Sequence, residues 1–170
     1  LAITIEEKIA DAARVHKFTG IAPRVAVHVA WDFPEGVPED TAQIAQEHGI
    51  SIGAINPTCF EDEESMMGTI ANPNPQIRQN AVDHMLESVA IGEALGSDHL
   101  SLWFADGTNY PGQDDLVERK HRVTNSLRRV YDEMPESMQM LIEYKPFEPA
   151  FYHTDIADWG MASLFARACG

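Results

Sequence analysis

The sequence is poor in cysteine and in basic residues. Its 170 residues include only two cysteines, Cys59 and Cys169, which lie far apart and form no C-x-x-C pair. Neither a disulfide framework nor a cysteine zinc site is therefore expected. The 12 Lys and Arg residues are outnumbered by 27 Asp and Glu residues, for a net charge of −15. Because nucleic-acid binding needs clustered positive charge, this balance argues against a nucleic-acid partner.

Long apolar runs are also missing. No stretch approaches the ~18 residues of a membrane span, and no signal peptide opens the chain. We therefore expect a cytoplasmic protein with no membrane partner. Its hydrophobic content of 44% is enough for a packed core, and its length corresponds to one domain. The chain begins with Leu1 rather than Met, so we expect it to be a piece of a longer protein.

Helical and strand patterns alternate along the chain. Thr4 and Glu7 have the spacing of a capping box, and apolar residues follow at helical intervals until Gly20. Pro75 suits the first position of a long helix. The predicted helices are 5–19, 40–48, 75–95, 114–133 and 158–168, and the predicted strands are 24–29, 50–55, 99–105 and 139–144. Such alternation predicts parallel strands joined by crossover helices.

The strand ends favour a (β/α)8 barrel over a doubly wound sheet. All four predicted strands end in polar or aromatic residues that lead into a loop; these residues include His28, Asn56, Trp103 and Glu143. Barrel enzymes carry their functional groups at the carboxyl ends of successive strands. An open sheet binds at one switch point, usually beside a glycine-rich turn, and no G-x-G-x-x-G motif is present.

The most specific segment is Ile142–Pro149, with the sequence IEYKPFEP. Within a strand, Glu143 and Lys145 would point to the same face about 7 Å apart. A divalent cation would hold the carboxylate, and ligand oxygens would meet the ammonium. The alternative is an ordinary ion pair at the rim. Pro146 and Pro149 fix the backbone beyond the strand, and Glu148 would return a second carboxylate toward the same mouth.

This E-x-K-P-x-E-P segment resembles the xylose isomerase-like family of sugar isomerases. The segments 103–113 and 151–160 extend the likeness to its L-rhamnose isomerase branch, over nearly the whole chain. The resemblance implies a (β/α)8 barrel, of which residues 1–170 would supply strands two to five. It also implies an aldose–ketose isomerase that uses divalent metal ions, with Mn²⁺ first and Mg²⁺ or Co²⁺ as alternatives. Homotetramers are common in that family.

The resemblance also assigns roles to individual residues. Glu143 matches a metal ligand, and Lys145 matches a lysine that contacts oxygens near the reacting end of the sugar. His28 matches a histidine associated with the sugar ring oxygen. Trp103 matches an apolar wall of the substrate site. Trp31 and Phe60 resemble further pocket aromatics.

The residues alone leave alternatives open. His28 is the one polar side chain among valines, so it is either a satisfied core or rim residue or a ligand; Asp32 is placed to orient its ring and to join the substrate site. Trp103 could equally lie in the core. Asp106 could bind a ligand, although shaping the turn is the simpler role. Asp155, with His153 two residues before it, could chelate a metal, but the resemblance implies no metal ligand in this segment. Asp158, or Thr154 before it, suits the N-terminus of the last helix.

The resemblance implies two metal ions. One carboxylate cannot hold two ions that each need about six ligands, so the segment alone is expected to be inactive. Our leading hypothesis is an isomerase that interconverts a neutral sugar such as L-rhamnose with its ketose, L-rhamnulose. A keto-sugar 3-epimerase and a non-catalytic truncated fragment are the alternatives. A nuclease of the same barrel superfamily is disfavoured by the negative charge.

Overall fold

A parallel β-sheet with intervening helices organises the chain. The computed structural model describes residues 2–37, 39–145 and 152–170. Its helices are α1 (Ile5–Thr19), α2 (Val29–Asp32), α3 (Thr41–Glu47), α4 (Pro75–Leu95), α5 (Leu116–Glu133) and α6 (Trp159–Cys169). Its strands are β1 (Arg24–His28), β2 (Ser51–Asn56), β3 (His99–Leu102), β4 (Gly107–Thr108), β5 (Gln139–Ile142) and β6 (His153–Thr154). None of the described helices has the length and apolarity needed to cross a membrane.

Four strands form one sheet in the order β1-β2-β3-β5. β1 pairs with β2, and β2 with β3, in parallel. Beside β3, the Gln139 N–H donates to the Asp98 carbonyl and the Glu143 N–H donates to the Leu102 carbonyl. These two bonds advance in the same direction along both segments, so β5 also runs parallel. β4 and β6 form a separate antiparallel pair. The predicted order of parallel strands and helices is confirmed.

The chain forms two compact units. The first unit comprises Leu1–Thr58, Ser88–Ser101 and Glu136–Gln139. Its core joins α1, α3 and the end of α4 to β1 and β2 through buried aliphatic side chains; they include Ile9, Val27, Ala45, Ile52, Ile55 and Leu95. The Thr4–Glu7 capping box predicted for α1 is present, with the Thr4 side chain accepting from the Glu7 N–H.

The second unit comprises Cys59–Glu87, Leu102–Pro135 and Met140–Gly170. Here α5 packs against α6. Three apolar side chains of α5 recur at helical spacing and are fully buried; they are Val123, Leu127 and Val130. α6 begins at an Asp158 N-cap whose carboxylate accepts from the Met161 N–H, as the sequence indicated.

Several predicted boundaries need correction. β3 ends at Leu102 rather than Ala105, and β5 ends at Ile142 rather than Tyr144. The residues after β3 leave the sheet because Gly107–Thr108 pair instead with β6. The expected loop after β1 starts with one helical turn, α2. A 3₁₀ turn at Glu63–Met67 interrupts the long loop before α4.

Candidate functional site

The ammonium group of Lys145 packs against the face of Trp103 in the second unit. Lys145 follows β5 and is buried, and its Nζ lies 3.6 Å from the centroid of the Trp103 ring. The ring of Phe60 meets Trp103 edge-on, with centroids 4.7 Å apart and planes at 81°. A cation held against an aromatic face away from water gains a substantial electrostatic attraction. The structure thus brings together three residues that the family resemblance assigned to one site.

Glu143, the predicted metal ligand, lies two residues before Lys145 but is exposed. Its N–H continues the pairing beside β3 by donating to the Leu102 carbonyl over 2.9 Å. Because β5 ends at Ile142, the strand geometry behind the expected same-face spacing does not extend over this pair. Glu148, Pro146 and Pro149 lie outside the described residues.

Three predicted residues lie together at the end of β1 in the first unit. The His28 ring stacks on Trp31, with centroids 4.4 Å apart. Contrary to the sequence-based expectation, the Asp32 carboxylate does not accept a hydrogen bond from the His28 ring. Its Oδ2 instead accepts from the His28 backbone N–H over 2.7 Å. Its Oδ1 accepts from Lys8 Nζ over 2.6 Å. The His28 Nδ1 atom is buried and has no hydrogen-bond partner within the described part of the chain.

A cavity of about 350 Å³ lies in the second unit. Apolar and polar side chains of the long loop line it, together with residues after β3 and Tyr152; the loop side chains are Phe60, Ser65, Met66, Met67 and Thr69. The Tyr152 hydroxyl donates to the Ala105 carbonyl. Phe60 therefore touches both this cavity and Trp103.

Asp106 anchors the far end of the same loop. Its carboxylate is buried and accepts from the Thr69 N–H (2.9 Å), the Thr69 hydroxyl (2.6 Å) and the Ala71 N–H (2.7 Å). Burial raises the pKa of the Asp106 carboxyl, and the bonds from Thr69 and Ala71 oppose that rise. A Cβ on Gly68, whose φ is +104°, would lie 2.8 Å from Asp106 Oδ2. Asp106 thus holds a distant loop rather than merely shaping its own turn.

The described residues do not form a complete metal site. They contain no group of three or more His, Cys, Asp and Glu side chains placed to hold an ion. Both carboxylate oxygens of Asp155 bond instead to the Arg119 guanidinium, at 3.1 and 2.6 Å, while the neighbouring His153 is exposed. A divalent ion therefore does not fit these residues alone, although Glu143 could supply one ligand.

The sequence also left Cys59 without a role, and the structure gives it none in catalysis. Both cysteines are free thiols. Cys59 is buried, and this burial is the main reason why the pKa of its thiol rises to about 12. A thiol that stays protonated at neutral pH is a poor nucleophile.

Two basic residues with structural partners were missed by sequence reasoning. Lys8 reaches Asp32 across 24 positions, and no local pattern marks that pairing. Arg119 is 2% exposed and precedes the buried Val123 by one helical turn. The position of Arg119 on the apolar face of α5 therefore indicates, from the sequence alone, that its guanidinium needs a buried acidic partner.

A family profile described as xylose isomerase-like TIM barrel matches residues 10–160. The chain belongs to this family. The expected barrel fold class is therefore confirmed. A probable sugar isomerase of Mesorhizobium japonicum is 33% identical over 171 residues, which cover 98% of this chain and 39% of that protein. The chain spans about two fifths of the length of the curated relatives of this family that it matches.

The likeness to L-rhamnose isomerase itself is more limited. The enzyme of Cronobacter sakazakii is 35% identical over 72 residues, which cover 39% of this chain and 17% of that protein. Among solved structures, an L-ribulose 3-epimerase matches 99% of this chain and 53% of its own, with a TM-score of 0.73 and 12% identity. A xylose isomerase-like protein of Mycobacterium smegmatis, solved with magnesium, matches 97% and 53% with a TM-score of 0.63 and 12% identity. At such identities the structural matches show the fold alone.

Proposed function

We propose that this chain carries part of the sugar site of a metal-dependent aldose–ketose isomerase that acts on a neutral sugar such as L-rhamnose. The observation that carries the proposal is the buried Lys145 ammonium on the face of Trp103. The ammonium group carries three N–H donors. Hydroxyl and carbonyl oxygens of a sugar suit its donors, and the similarity to a probable sugar isomerase supports this substrate class.

Each residue of the site has a proposed task. Trp103 and Phe60 offer apolar surfaces to the C–H bonds of the sugar, and their mutual edge contact fixes the orientation of both rings. Lys145 donates hydrogen bonds to the oxygen on which negative charge develops, which lowers the barrier to isomerisation. Within the first unit by itself, we propose that the ring of His28, whose Nδ1 has no hydrogen-bond partner among the described residues, binds a sugar ring oxygen. Trp31 and Asp32, which contact His28, are proposed to bind the same sugar.

Metal dependence is the second part of the proposal. Glu143 is exposed at the end of the sheet, so its carboxylate is available to a cation without a large desolvation cost. We assign it one ligand position for a divalent ion, Mn²⁺ first and Mg²⁺ or Co²⁺ as alternatives. The magnesium complex of the Mycobacterium smegmatis protein supports a divalent ion in this fold. The described residues alone supply no complete site for this ion.

Product analysis tests the proposed reaction. The purified full-length natural protein, supplied with Mn²⁺, is incubated with L-rhamnose, L-rhamnulose and D-fructose, and the products are identified by NMR. We expect L-rhamnose and L-rhamnulose to interconvert. A 3-epimerase would convert each ketose into its C3 epimer without forming an aldose. Epimers alone, or no turnover of any of the three sugars, would contradict the isomerase.

A matched pair of lysine variants tests the site. Lys145→Met retains most of the side-chain volume and removes the ammonium. We expect it to lower kcat at least about 100-fold, the cost typical of losing one donor to a developing charge. Lys120→Met is the control, because Lys120 is exposed on α5. Equal activity of the two variants would exclude Lys145 from the reaction.

A further inference from the structure

The short segment 154–156 forms hydrogen bonds with both the backbone N–H and the backbone carbonyl of Lys145. The Lys145 N–H donates to the Ile156 carbonyl over 2.9 Å. The Thr154 hydroxyl donates to the Lys145 carbonyl over 3.0 Å. Thr154, Ile156 and Lys145 are all buried, so these bonds form away from competing water. Each bond constrains the position of the Lys145 Cα, from which the side chain extends.

The residue between those two contacts is tied to a different element. Asp155 receives two hydrogen bonds from the Arg119 guanidinium of α5, Nε to Oδ1 at 3.1 Å and Nη2 to Oδ2 at 2.6 Å. Arg119 also donates to Asp114 over 3.0 Å. A guanidinium held by two carboxylates in this planar fork arrangement has little freedom to reorient. Arg119 therefore fixes Asp155 relative to α5.

The backbone of the segment is fixed as well. The Asp155 N–H donates to the Asp106 carbonyl over 3.0 Å, and Thr154 pairs with Gly107 between β6 and β4. The two strands approach so closely that a Cβ on Gly107 would lie 2.4 Å from the His153 carbonyl oxygen. Asp106 in turn binds the loop that begins near Phe60. One connected set of polar contacts thus links Lys145 to Asp106 and, through Asp106, to Thr69 and Ala71 of the long loop.

We propose that Thr154 is a positioning residue for Lys145, and that Arg119 acts with it by fixing Asp155. In this arrangement Thr154 holds the Lys145 carbonyl while the Arg119–Asp155 pair prevents the segment from sliding. The Lys145 Cα then stays where its side chain can reach the face of Trp103. The inference rests on the proposed role of Lys145 in sugar isomerisation. It adds residues that touch neither sugar nor metal.

The test replaces the hydroxyl and then restores it. Thr154→Val removes the donor to the Lys145 carbonyl with almost no change in shape, and Thr154→Ser returns it. For Thr154→Val we expect kcat to fall about 10- to 100-fold while KM changes less than about threefold, because displacement of a reacting group by about 1 Å has such an effect. Thr154→Ser should regain most of the rate. Thr108→Val is the control, because Thr108 is buried on the neighbouring strand β4.

A second readout does not depend on catalysis. The protein is labelled with 5-fluorotryptophan, and the ¹⁹F resonance of Trp103 is assigned by Trp103→Phe. Thr154→Val should shift or broaden that resonance because the ammonium moves off the ring, and Thr154→Ser should restore it. If the wild-type protein isomerises none of the sugars, the proposed function fails, and this resonance alone decides the positioning role.

Two outcomes would overturn the inference. One is a Thr154→Val protein with unchanged kcat and an unchanged Trp103 resonance. The other is a Thr154→Ser protein that behaves like Thr154→Val, since the hydroxyl would then not be the cause. If Thr154→Val does not fold, Asp155→Asn is measured instead, because it weakens the bonds to Arg119 without touching Lys145. A Trp103 resonance unaltered in Asp155→Asn would likewise contradict the inference.

Discussion

The Nζ atom of Lys145 lies 3.6 Å from the ring centroid of Trp103. A double-mutant cycle with Lys145→Leu and Trp103→Leu measures the contribution of this contact to stability. We expect a stabilising coupling of about 0.5–2 kcal/mol, the range for cation–π pairs between exposed and desolvated sites. Leucine is chosen because methionine would replace the cation with a favourable sulfur–aromatic contact. Urea unfolding of the four proteins gives the coupling energy.

A second cycle, between Lys145→Leu and Trp159→Leu, serves as the control. Trp159 is 75% exposed at the start of α6, and its effect should add to that of Lys145→Leu. A coupling near zero in the Trp103 cycle, or an equal coupling in both cycles, would show that the ammonium gains nothing from the Trp103 ring.

Glu143→Gln should separate catalysis from folding. The Glu143 side chain is exposed, so the free energy of unfolding of the variant should stay within about 0.5 kcal/mol of that of the wild type. Loss of a metal ligand should abolish metal-dependent turnover and reduce the bound Mn²⁺ measured by mass spectrometry after gel filtration. Glu136→Gln, at an exposed site before β5, should retain both. Full activity of Glu143→Gln with added Mn²⁺ would rule out the ligand role.

Elements with a strong local signal were predictable from the sequence. The helix Pro75–Leu95 has the predicted bounds because proline favours its first turn and apolar residues recur on one face. The parallel strand order followed from the alternation of helical and strand patterns. The grouping of Trp103, Phe60 and Lys145 came from the family resemblance, since no rule of spacing relates Phe60 to Trp103 across 43 positions.

The remaining features depend on contacts between distant parts of the chain. Asp106 reads as a turn residue, yet its partner Thr69 lies 37 positions earlier. From the sequence, the Asp32 carboxylate is a candidate partner for the ring of His28. In the structure it accepts a hydrogen bond from the backbone N–H of His28 instead, because the two residues are one helical turn apart. Strand ends are similarly uncertain, since pairing with β6 removed residues from the end of β3. Local patterns cannot decide such competitions.

Asp106→Asn should destabilise the protein strongly. The carboxylate accepts three hydrogen bonds, and an amide in its place offers one acceptor oxygen and an NH₂ group. In the best orientation the amide oxygen keeps the bonds from the Thr69 and Ala71 N–H groups, while the NH₂ group faces the Thr69 hydroxyl, whose own proton then loses its carboxylate acceptor. We expect a loss of about 3 kcal/mol in the free energy of unfolding, at the upper end for a buried unsatisfied group because the lost partner is a carboxylate. Chemical denaturation measures it.

Two further variants bracket the Asp106 result. Thr69→Val removes a single donor and should cost about 1 kcal/mol. Asp62→Asn, at an exposed position of the same loop, should change stability by less than about 0.5 kcal/mol. If Asp106→Asn proved as mild as Asp62→Asn, the carboxylate would not be the anchor of the loop.

The ion pair between Arg24 and Asp98 should make stability depend on pH in the acid range. The hydrogen bonds from Arg24 to Asp98 are the main cause that lowers the pKa of the Asp98 carboxyl to about 2, and His99 adds to the effect. The carboxyl stays ionised in the folded protein at pH values where the unfolded chain has already bound a proton. The resulting stabilisation is complete above about pH 4 and is lost as the pH falls toward 2.

Urea unfolding between pH 5 and pH 2 compares the wild type with Asp98→Asn and Arg24→Gln. The stability advantage of the wild type over Asp98→Asn should be constant near pH 5 and shrink steadily below pH 4. Arg24→Gln should remove most of this pH dependence, because the guanidinium is the main group that lowers the pKa of the folded Asp98 carboxyl and only His99 then remains. Added salt should weaken the effect, since the Asp98 side chain is half-exposed. An advantage that stays constant down to pH 2 would show that Arg24 does not hold the Asp98 carboxyl ionised.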